Sequence, residues 1–179
     1  MYDISNVPLI PRQILFGNPE RAMARLSPDG QQLAYLAPLE GVLNVWVGPA
    51  DQPDQMKPVT DDSGRGIRFY AWAYTNEHIL YLQDKDGDED WQLYCVDLGS
   101  GEIRNLTPLE GVQAQVLAAS PDSPNEIIVG LNDRSPQLHD LYRVNIIDGQ
   151  RQLIQQNDGF MSFVIDEAYQ VRYANRMRP

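Results

Sequence analysis

The sequence predicts an all-β chain: an incomplete β-propeller of about three and a half four-stranded blades. Three observations predict it. Val45-Trp46, Leu93-Tyr94 and Leu141-Tyr142 recur every 48 residues (94 − 46 = 48; 142 − 94 = 48), each preceded by a polar residue, Asn44, Gln92 and Asp140. Gly101 and Gly149 recur on the same step, each closing a turn after the strand. Between them run short stretches rich in Val, Ile, Leu, Tyr and Trp, bounded by Gly, Pro, Asn and Asp, which is how strands are written. A period of about 40 to 50 residues with several strands per unit is that of propeller blades. Closed propellers hold about four to eight blades, so three units and a partial fourth form part of a larger ring.

Residues 1–21 stand outside the repeat as an N-terminal extension punctuated by Pro8, Pro11 and Pro19; Arg12 to Phe16 suits one helical turn ending at Gly17. The blades are expected at about 22–66, 67–113, 114–159 and, incomplete, 160–179. In the first, Ser27-Pro28-Asp29-Gly30 makes a strong turn, because Pro presets φ, Asp bonds its own backbone and Gly tolerates positive φ. Strands follow at Gln32 to Ala37, Leu43 to Val47 and Lys57 to Thr60. The second blade sets strands at Phe69 to Tyr74, Ile79 to Gln83, Trp91 to Val96 and Ile103 to Thr107. The third sets them at Gln115 to Ala119, Ile127 to Leu131, Leu141 to Ile146 and Gln152 to Gln155. The fourth has only Ser162 to Ile165 and Gln170 to Ala174.

Composition narrows the partners. The apolar content of 42% allows a packed core, and the net charge of −11 argues against nucleic acid, whose phosphates demand Lys and Arg. Cys95 is the single cysteine, so no intrachain disulfide forms. The N-terminus lacks a basic, apolar leader, and no apolar run reaches the roughly 18 residues of a membrane span. A cytoplasmic location without membrane contact is expected. An open arc also leaves its last face wet and a sheet edge unpaired, which predicts self-association or marginal stability of the chain alone.

Several segments resemble the N-terminal propeller of the prolyl oligopeptidase family of serine peptidases, in its acylaminoacyl-peptidase and dipeptidyl-peptidase-like bacterial branch. They are Arg25-Leu26-Ser27-Pro28-Asp29-Gly30, Tyr81 through Glu89, Asn105-Leu106-Thr107-Pro108, Leu131-Asn132-Asp133-Arg134 and Leu138 through Val144. The resemblance runs from about Pro8 to Tyr173. It implies a propeller that caps a C-terminal α/β-hydrolase domain, gating access of short peptides to a Ser-Asp-His triad. Such a domain is absent here: no Gly-x-Ser-x-Gly elbow exists, and Gly99-Ser100-Gly101 has the wrong spacing and sits in a hairpin. His78 and His139 have no triad partner by motif. No catalytic residue, metal or cofactor is expected in this chain, and its peptide partners would be met through the missing hydrolase. Ser-Pro-Asp-Gly also occurs in propellers of the bacterial Tol system, so a Tol-like or scaffold propeller that binds proteins is the alternative. A third reading is a short protein that closes its ring by assembling copies.

Two loops carry the candidate site. Asp84-Lys85-Asp86-Gly87-Asp88-Glu89-Asp90 packs five carboxylates into seven residues. It is not an EF-hand loop, because counting from Asp84 puts Gly87 fourth and Cys95 twelfth. Asp86, Asp88 and Glu89 are candidates to hold a peptide's free amino terminus. The competing reading is a solvated hairpin loop, the ordinary meaning of a charge run. Asn132, Asp133 and Arg134 occupy the equivalent loop one blade on. Arg134 is a candidate partner for the acidic loop or for a substrate carboxylate, against the alternative of an interblade salt bridge. Trp46, Tyr94 and Tyr142 are expected in the core, as is Cys95, and His139 as a packing residue equivalent to Trp91 (139 − 48 = 91). Gly64-Arg65-Gly66 fails as a dinucleotide fingerprint, since Phe69 stands where the third Gly belongs.

Overall fold

The computed structural model describes residues 10–16 and 20–177. Pro8, Gly17 and Pro19 lie outside them. The expected helical turn is present as α1 (Arg12–Phe16). Among the described residues after it, all regular structure is β apart from a single 3₁₀ turn at Pro53–Gln55.

Blade one is β1 (Ala22–Leu26), β2 (Gln32–Leu39), β3 (Val42–Pro49) and β4 (Lys57–Pro58). Blade two is β5 (Phe69–Trp72), β6 (His78–Gln83), β7 (Gln92–Asp97) and β8 (Ile103–Asn105). Blade three is β9 (Ala114–Ala119), β10 (Glu126–Ser135), β11 (Leu138–Asn145) and β12 (Arg151–Gln155). A two-stranded hairpin follows, β13 (Ser162–Ile165) with β14 (Val171–Asn175). Each four-stranded sheet is an antiparallel meander in chain order, and the described sheets do not close on one another. The chain is therefore an incomplete propeller, as the repeat arithmetic predicts.

Three local departures have physical reasons. The fourth strands of blades one and two are shorter than expected because a threonine replaces the ladder. Thr60 Oγ1 accepts the Val45 N–H at 2.9 Å, and Thr107 Oγ1 accepts the Leu93 N–H at 2.9 Å. A hydroxyl thus takes the bond a strand carbonyl would have taken, and the backbone is free to leave the sheet. β1 was not marked by the sequence, since Ala-Met-Ala-Arg-Leu has little β preference; it pairs with β2 across a register shift between Ala22 and Arg25. In blade three the loop expected over 132–139 is instead the tip of a long hairpin, with β10 running on to Ser135 past a register shift after Leu131. Asn132, Asp133 and Arg134 are strand residues, not loop residues.

The period-two alternation of each strand divides its side chains between two neighbouring blades. Val45, Leu93 and Leu141, all buried, point toward the following blade. Tyr94 and Tyr142 point toward the preceding one. The core between blades one and two holds Leu36, Val45, Ile67, Ile79, Tyr81 and Val96. That between blades two and three holds Leu80, Leu93, Leu106, Ile127, Val129 and Val144. Phe163, Ile165 and Val171 of the hairpin cover Ile128 and Leu141 of blade three. Burying each such side chain is worth about 1.5–3 kcal/mol, so the interblade seams are the core of the molecule. Hydrogen bonds pin the seams as well: Tyr70 Oη donates to Met23 O at 2.6 Å, Trp72 Nε1 to Arg25 O at 3.1 Å, and Tyr169 Oη to Glu126 O at 2.6 Å.

Candidate functional site

The polar residue before each aromatic pair ties its blade to the segment leading into the next. Asn44, fully buried, accepts from Thr60 Oγ1 and Asp62 N, both at 2.8 Å, and donates to Asp62 O at 2.9 Å and Val42 O at 3.2 Å. Gln92 donates to Leu109 O at 3.3 Å. Asp140 accepts the Asn157 N–H at 2.7 Å. The tied residues, 62, 109 and 157, lie 47 and 48 residues apart, within one residue of the blade period. These ties fix the path of the interblade linkers, and two of those linkers build the site.

An open cleft of about 750 Å³ lies between linker 61–66, the β6–β7 loop and linker 108–111. Asp62, Asp84, Asp86, Asp88, Asp90 and Glu110 face it, against the two cations Arg65 and Lys85. Tyr94 contributes an aromatic wall and stacks on Tyr81 with ring centroids 5.1 Å apart. Arg65 Nη1 donates to Asp84 Oδ2 at 2.6 Å, and Asp84 is buried beneath it. Gly87 crosses directly over that guanidinium with φ +89°; a Cβ there would stand 2.6 Å from Arg65 Nη1. Only glycine allows both this φ and this approach. The acidic loop is braced internally: Asp88 Oδ1 accepts the N–H groups of Lys85 at 3.2 Å and Asp90 at 3.1 Å. Asp86 and Glu89 both adopt positive φ, 55° and 63°.

The structure brings some of the candidate residues together and separates others. Asp86 and Asp88 line the cleft; the Glu89 side chain is exposed outside it, while its carbonyl accepts from Gln113 Nε2 at 3.4 Å. Gln113 N donates to Asn132 Oδ1 at 2.6 Å, so Asn132 is linked to Glu89 through Gln113, outside the cleft lining. Asp133 accepts from Tyr142 Oη at 2.7 Å. Arg134 reaches neither the acidic loop nor the cleft. Its fork grips Asp140 at 2.8 and 2.9 Å and donates to Asn157 O at 2.6 Å. The hydrogen bond from Arg134 holds the Asp140 carboxyl below the usual carboxylate range, although burial opposes it.

Asp62 and Glu110 are cleft residues the sequence does not single out, and Arg65 and Tyr94 line the cleft although the sequence suggests only a failed dinucleotide motif for one and a core position for the other. Arg65 and Asp62 sit in the linker just after Thr60, and Glu110 just after Thr107, at positions the blade period places side by side. Gly99-Ser100-Gly101 is a hairpin turn closed on Asp97, whose Oδ1 accepts Gly99 N at 2.8 Å and Ser100 N at 3.1 Å. Cys95 is buried between blades two and three, and burial pushes its thiol up to about 12. Among the described residues no helix is long and apolar enough to cross a membrane.

No protein-family model matches the chain. It is 48% identical over 177 residues to dipeptidyl aminopeptidase BIII of Pseudoxanthomonas mexicana, covering 98% of this chain and 26% of that protein. It is 30% identical to dipeptidyl peptidase family member 6 of Caenorhabditis elegans, covering 97% of this chain and 24% of that one. The chain thus spans about a quarter of the length of the curated relatives it matches. Among solved structures, its fold resembles the β-propeller domain of the trilobed protease from Pyrococcus furiosus (TM-score 0.58, 21% identity, 79% of this chain and 44% of that one). It also resembles a prolyl endopeptidase (TM-score 0.60, 14% identity, 81% and 23%) and a TolB protein from Agrobacterium tumefaciens (TM-score 0.55, 21% identity, 75% and 46%). At these identities the structural likeness speaks for the fold, and the peptidase relationship comes from the sequence matches. The propeller architecture, and a match to a dipeptidyl aminopeptidase over 98% of this chain, agree with the resemblance to the β-propeller of the prolyl oligopeptidase family of serine peptidases.

Proposed function

We propose that the chain acts as the substrate-side propeller of a cytoplasmic serine peptidase for short peptides, gating and positioning them without catalysis of its own. The observation that carries this reading is the 48% identity to a dipeptidyl aminopeptidase across nearly the whole chain. The acidic cleft supports it. Six carboxylates against two cations give the open cleft a negative potential. A peptide's free α-amino group, with a pKa of about 7.7–8.0, is partly to largely cationic near neutral pH and is drawn to such a cleft. In this reading Asp86 and Asp88 meet the ammonium. Glu89 and Asn132 are linked through Gln113 and brace the acidic loop against blade three, which Asp133 and Arg134 stiffen. The Tol-like alternative rests on fold likeness alone.

Two measurements test the reading. The first is the mass of the native polypeptide recovered from its source cells with an antibody against this chain. A species several times heavier than 20.3 kDa is expected; a native mass near that value overturns the peptidase assignment and favours assembly of copies. The second is hydrolysis of dipeptidyl p-nitroanilides by that native polypeptide. Asp86→Asn with Asp88→Asn is expected to raise KM for substrates with a free amino terminus more than for N-acetylated ones, with kcat little changed. Equal effects on both substrates remove the cleft from substrate binding. Arg134→Ala with unchanged cleavage would confine Arg134 to blade three.

A further inference from the structure

Four Asp-Gly pairs occur in the chain: Asp29-Gly30, Asp86-Gly87, Asp148-Gly149 and Asp158-Gly159. Such pairs are open to a spontaneous reaction of the backbone. The Gly nitrogen attacks the Asp side-chain carboxyl carbon, a cyclic succinimide forms, and water leaves. Glycine favours the attack because no Cβ shields its nitrogen or restricts its φ. Water then opens the ring at either carbonyl. One opening restores aspartate. The other leaves isoaspartate, whose backbone runs through the former side chain. One water leaves and one returns, so no oxidant or cofactor is required.

The reaction needs both groups unengaged, so the partners of each Gly N–H and each carboxylate decide between the pairs. In three of them both groups are held. Gly30 N donates to Ser27 O at 2.8 Å, and Asp29 Oδ1 accepts from Ser27 Oγ at 2.6 Å and Gln31 N at 3.1 Å. Gly149 N donates to Asn145 O at 2.9 Å, and Asp148 Oδ1 accepts from Gln150 N at 2.9 Å. Gly159 N donates to Asn157 Oδ1 at 3.1 Å, and Asp158 Oδ1 accepts from Gln156 Nε2 at 3.3 Å. Asp86-Gly87 differs. Among the described residues neither Gly87 N nor the Asp86 carboxylate has a hydrogen-bond partner, and both residues are exposed.

We infer that Asp86-Gly87 is a site of spontaneous isomerisation, a covalent modification set in the wall of the acidic cleft. Isoaspartate adds one methylene to the backbone and leaves the free carboxylate directly on Cα. The loop has little slack to absorb that change. Asp84 is held by Arg65, and Asp88 holds the N–H groups of Lys85 and Asp90. Gly87 lies against Arg65 Nη1, where even a Cβ would stand 2.6 Å away. The carboxylate of residue 86 therefore leaves its place in the cleft. The modification is independent of the peptidase reading; its effect on substrates rests on that reading.

The test is ageing of the native polypeptide in heavy-oxygen water at mildly acidic pH, where more of each aspartate carries the proton its departing oxygen needs. Peptide mapping then separates isoaspartyl from aspartyl forms, and heavy oxygen marks those that passed through the succinimide. The peptide holding residues 86 and 87 is expected to gain isoaspartate at least about fivefold faster than the other three pairs, the factor that one hydrogen bond of ordinary strength withholds. In denaturant all four should react at similar rates. Asp86→Glu keeps the charge but requires a larger ring, and should stop the reaction at this site alone. Equal native rates at the four pairs, or a faster rate at any other pair, overturn the inference. In the aged wild type, KM for dipeptidyl p-nitroanilides with a free amino terminus should rise with the isoaspartate fraction, whereas Asp86→Glu aged alike should show no drift. Isoaspartate at position 86 with a constant KM upholds the modification and removes the cleft from substrate binding.

Discussion

Asn44→Ala probes the polar tie on which the linkers depend. Asn44 makes four hydrogen bonds, to Thr60 Oγ1, Asp62 N, Asp62 O and Val42 O. Neutral hydrogen bonds contribute a net of about 1 kcal/mol each, which sets about 4 kcal/mol as the gross loss. The groups at Asp62 and Val42 are only partly buried and recover some water, whereas Thr60 is buried and keeps only the Val45 N–H. The expected loss is therefore about 3 kcal/mol. With a urea dependence of about 2 kcal/mol per molar, the midpoint falls by about 1.5 M. Equilibrium urea unfolding of the purified chain, followed by tryptophan fluorescence, measures it. Asn44→Asp sharpens the test. Blade three carries Asp140 at this position, but there Arg134 supplies a cation. Blade one has no arginine in that role, so Asn44→Asp should destabilise although it keeps the acceptor oxygen used by Thr60 Oγ1 and Asp62 N, because it loses the donor to Asp62 O and Val42 O and adds an uncompensated charge. A loss below about 1 kcal/mol for Asn44→Ala, or a neutral Asn44→Asp, refutes the idea that this residue holds the linker.

Three further outcomes follow from the same geometry. Asp140 has a folded pKa below its unfolded value, so its contribution is present above the unfolded pKa of about 3.9 and is lost as pH falls through the folded one. The urea midpoint should drop between about pH 5 and about pH 3 more for the wild type than for Asp140→Asn; parallel profiles count against the Arg134–Asp140 pair. Cys95, raised to about 12 by burial, should ignore an aromatic disulfide reagent at neutral pH until the chain unfolds, and rapid labelling of the native state would contradict its place in the seam. Val164 and Tyr173 form a cross-strand pair on the far face of the hairpin, 48% and 73% exposed. The isolated chain should scatter light as more than one copy, and Val164→Lys with Tyr173→Lys should return it toward 20.3 kDa. A monodisperse monomer of the unmodified chain would exclude that association.

The blade pattern was legible because it rests on side-chain alternation at a fixed period. Val45, Leu93 and Leu141 sit at one blade position for one reason, burial against the next blade, and period-two burial is written directly in sequence. The polar residues before the aromatic pairs were visible too, but not their purpose. Asn44, Gln92 and Asp140 look unrelated as side chains, and only the structure reveals that each reaches the same point of its linker. The tip of blade three misled, because Asn132-Asp133-Arg134-Ser135-Pro136 has turn composition while its backbone continues the hairpin across a register shift. The sequence offers Arg134 either to substrate or the acidic loop, or to an interblade salt bridge, and the structure pairs it within its own blade. Its partner Asp140 lies six residues on, across the hairpin, a pairing that a loop reading of the tip leaves out.

Arg65 makes a broader point about where the cleft comes from. It stands in the linker that Asn44 pins, and Asp84 stands at the end of β6, which packs on blade one through Ile79 and Tyr81. The ion pair that floors the cleft therefore joins two segments whose positions are set by the seam between blades one and two. Loosening the seam would move Arg65 away from Asp84, leaving a carboxylate that is 3% exposed without its cation. Uncompensated buried charge is costly, so the cleft and the seam resist change together. A substitution such as Asn44→Ala should consequently disturb the electrostatics of the cleft as well as the stability of the blade, though Asn44 is not among the residues that line it.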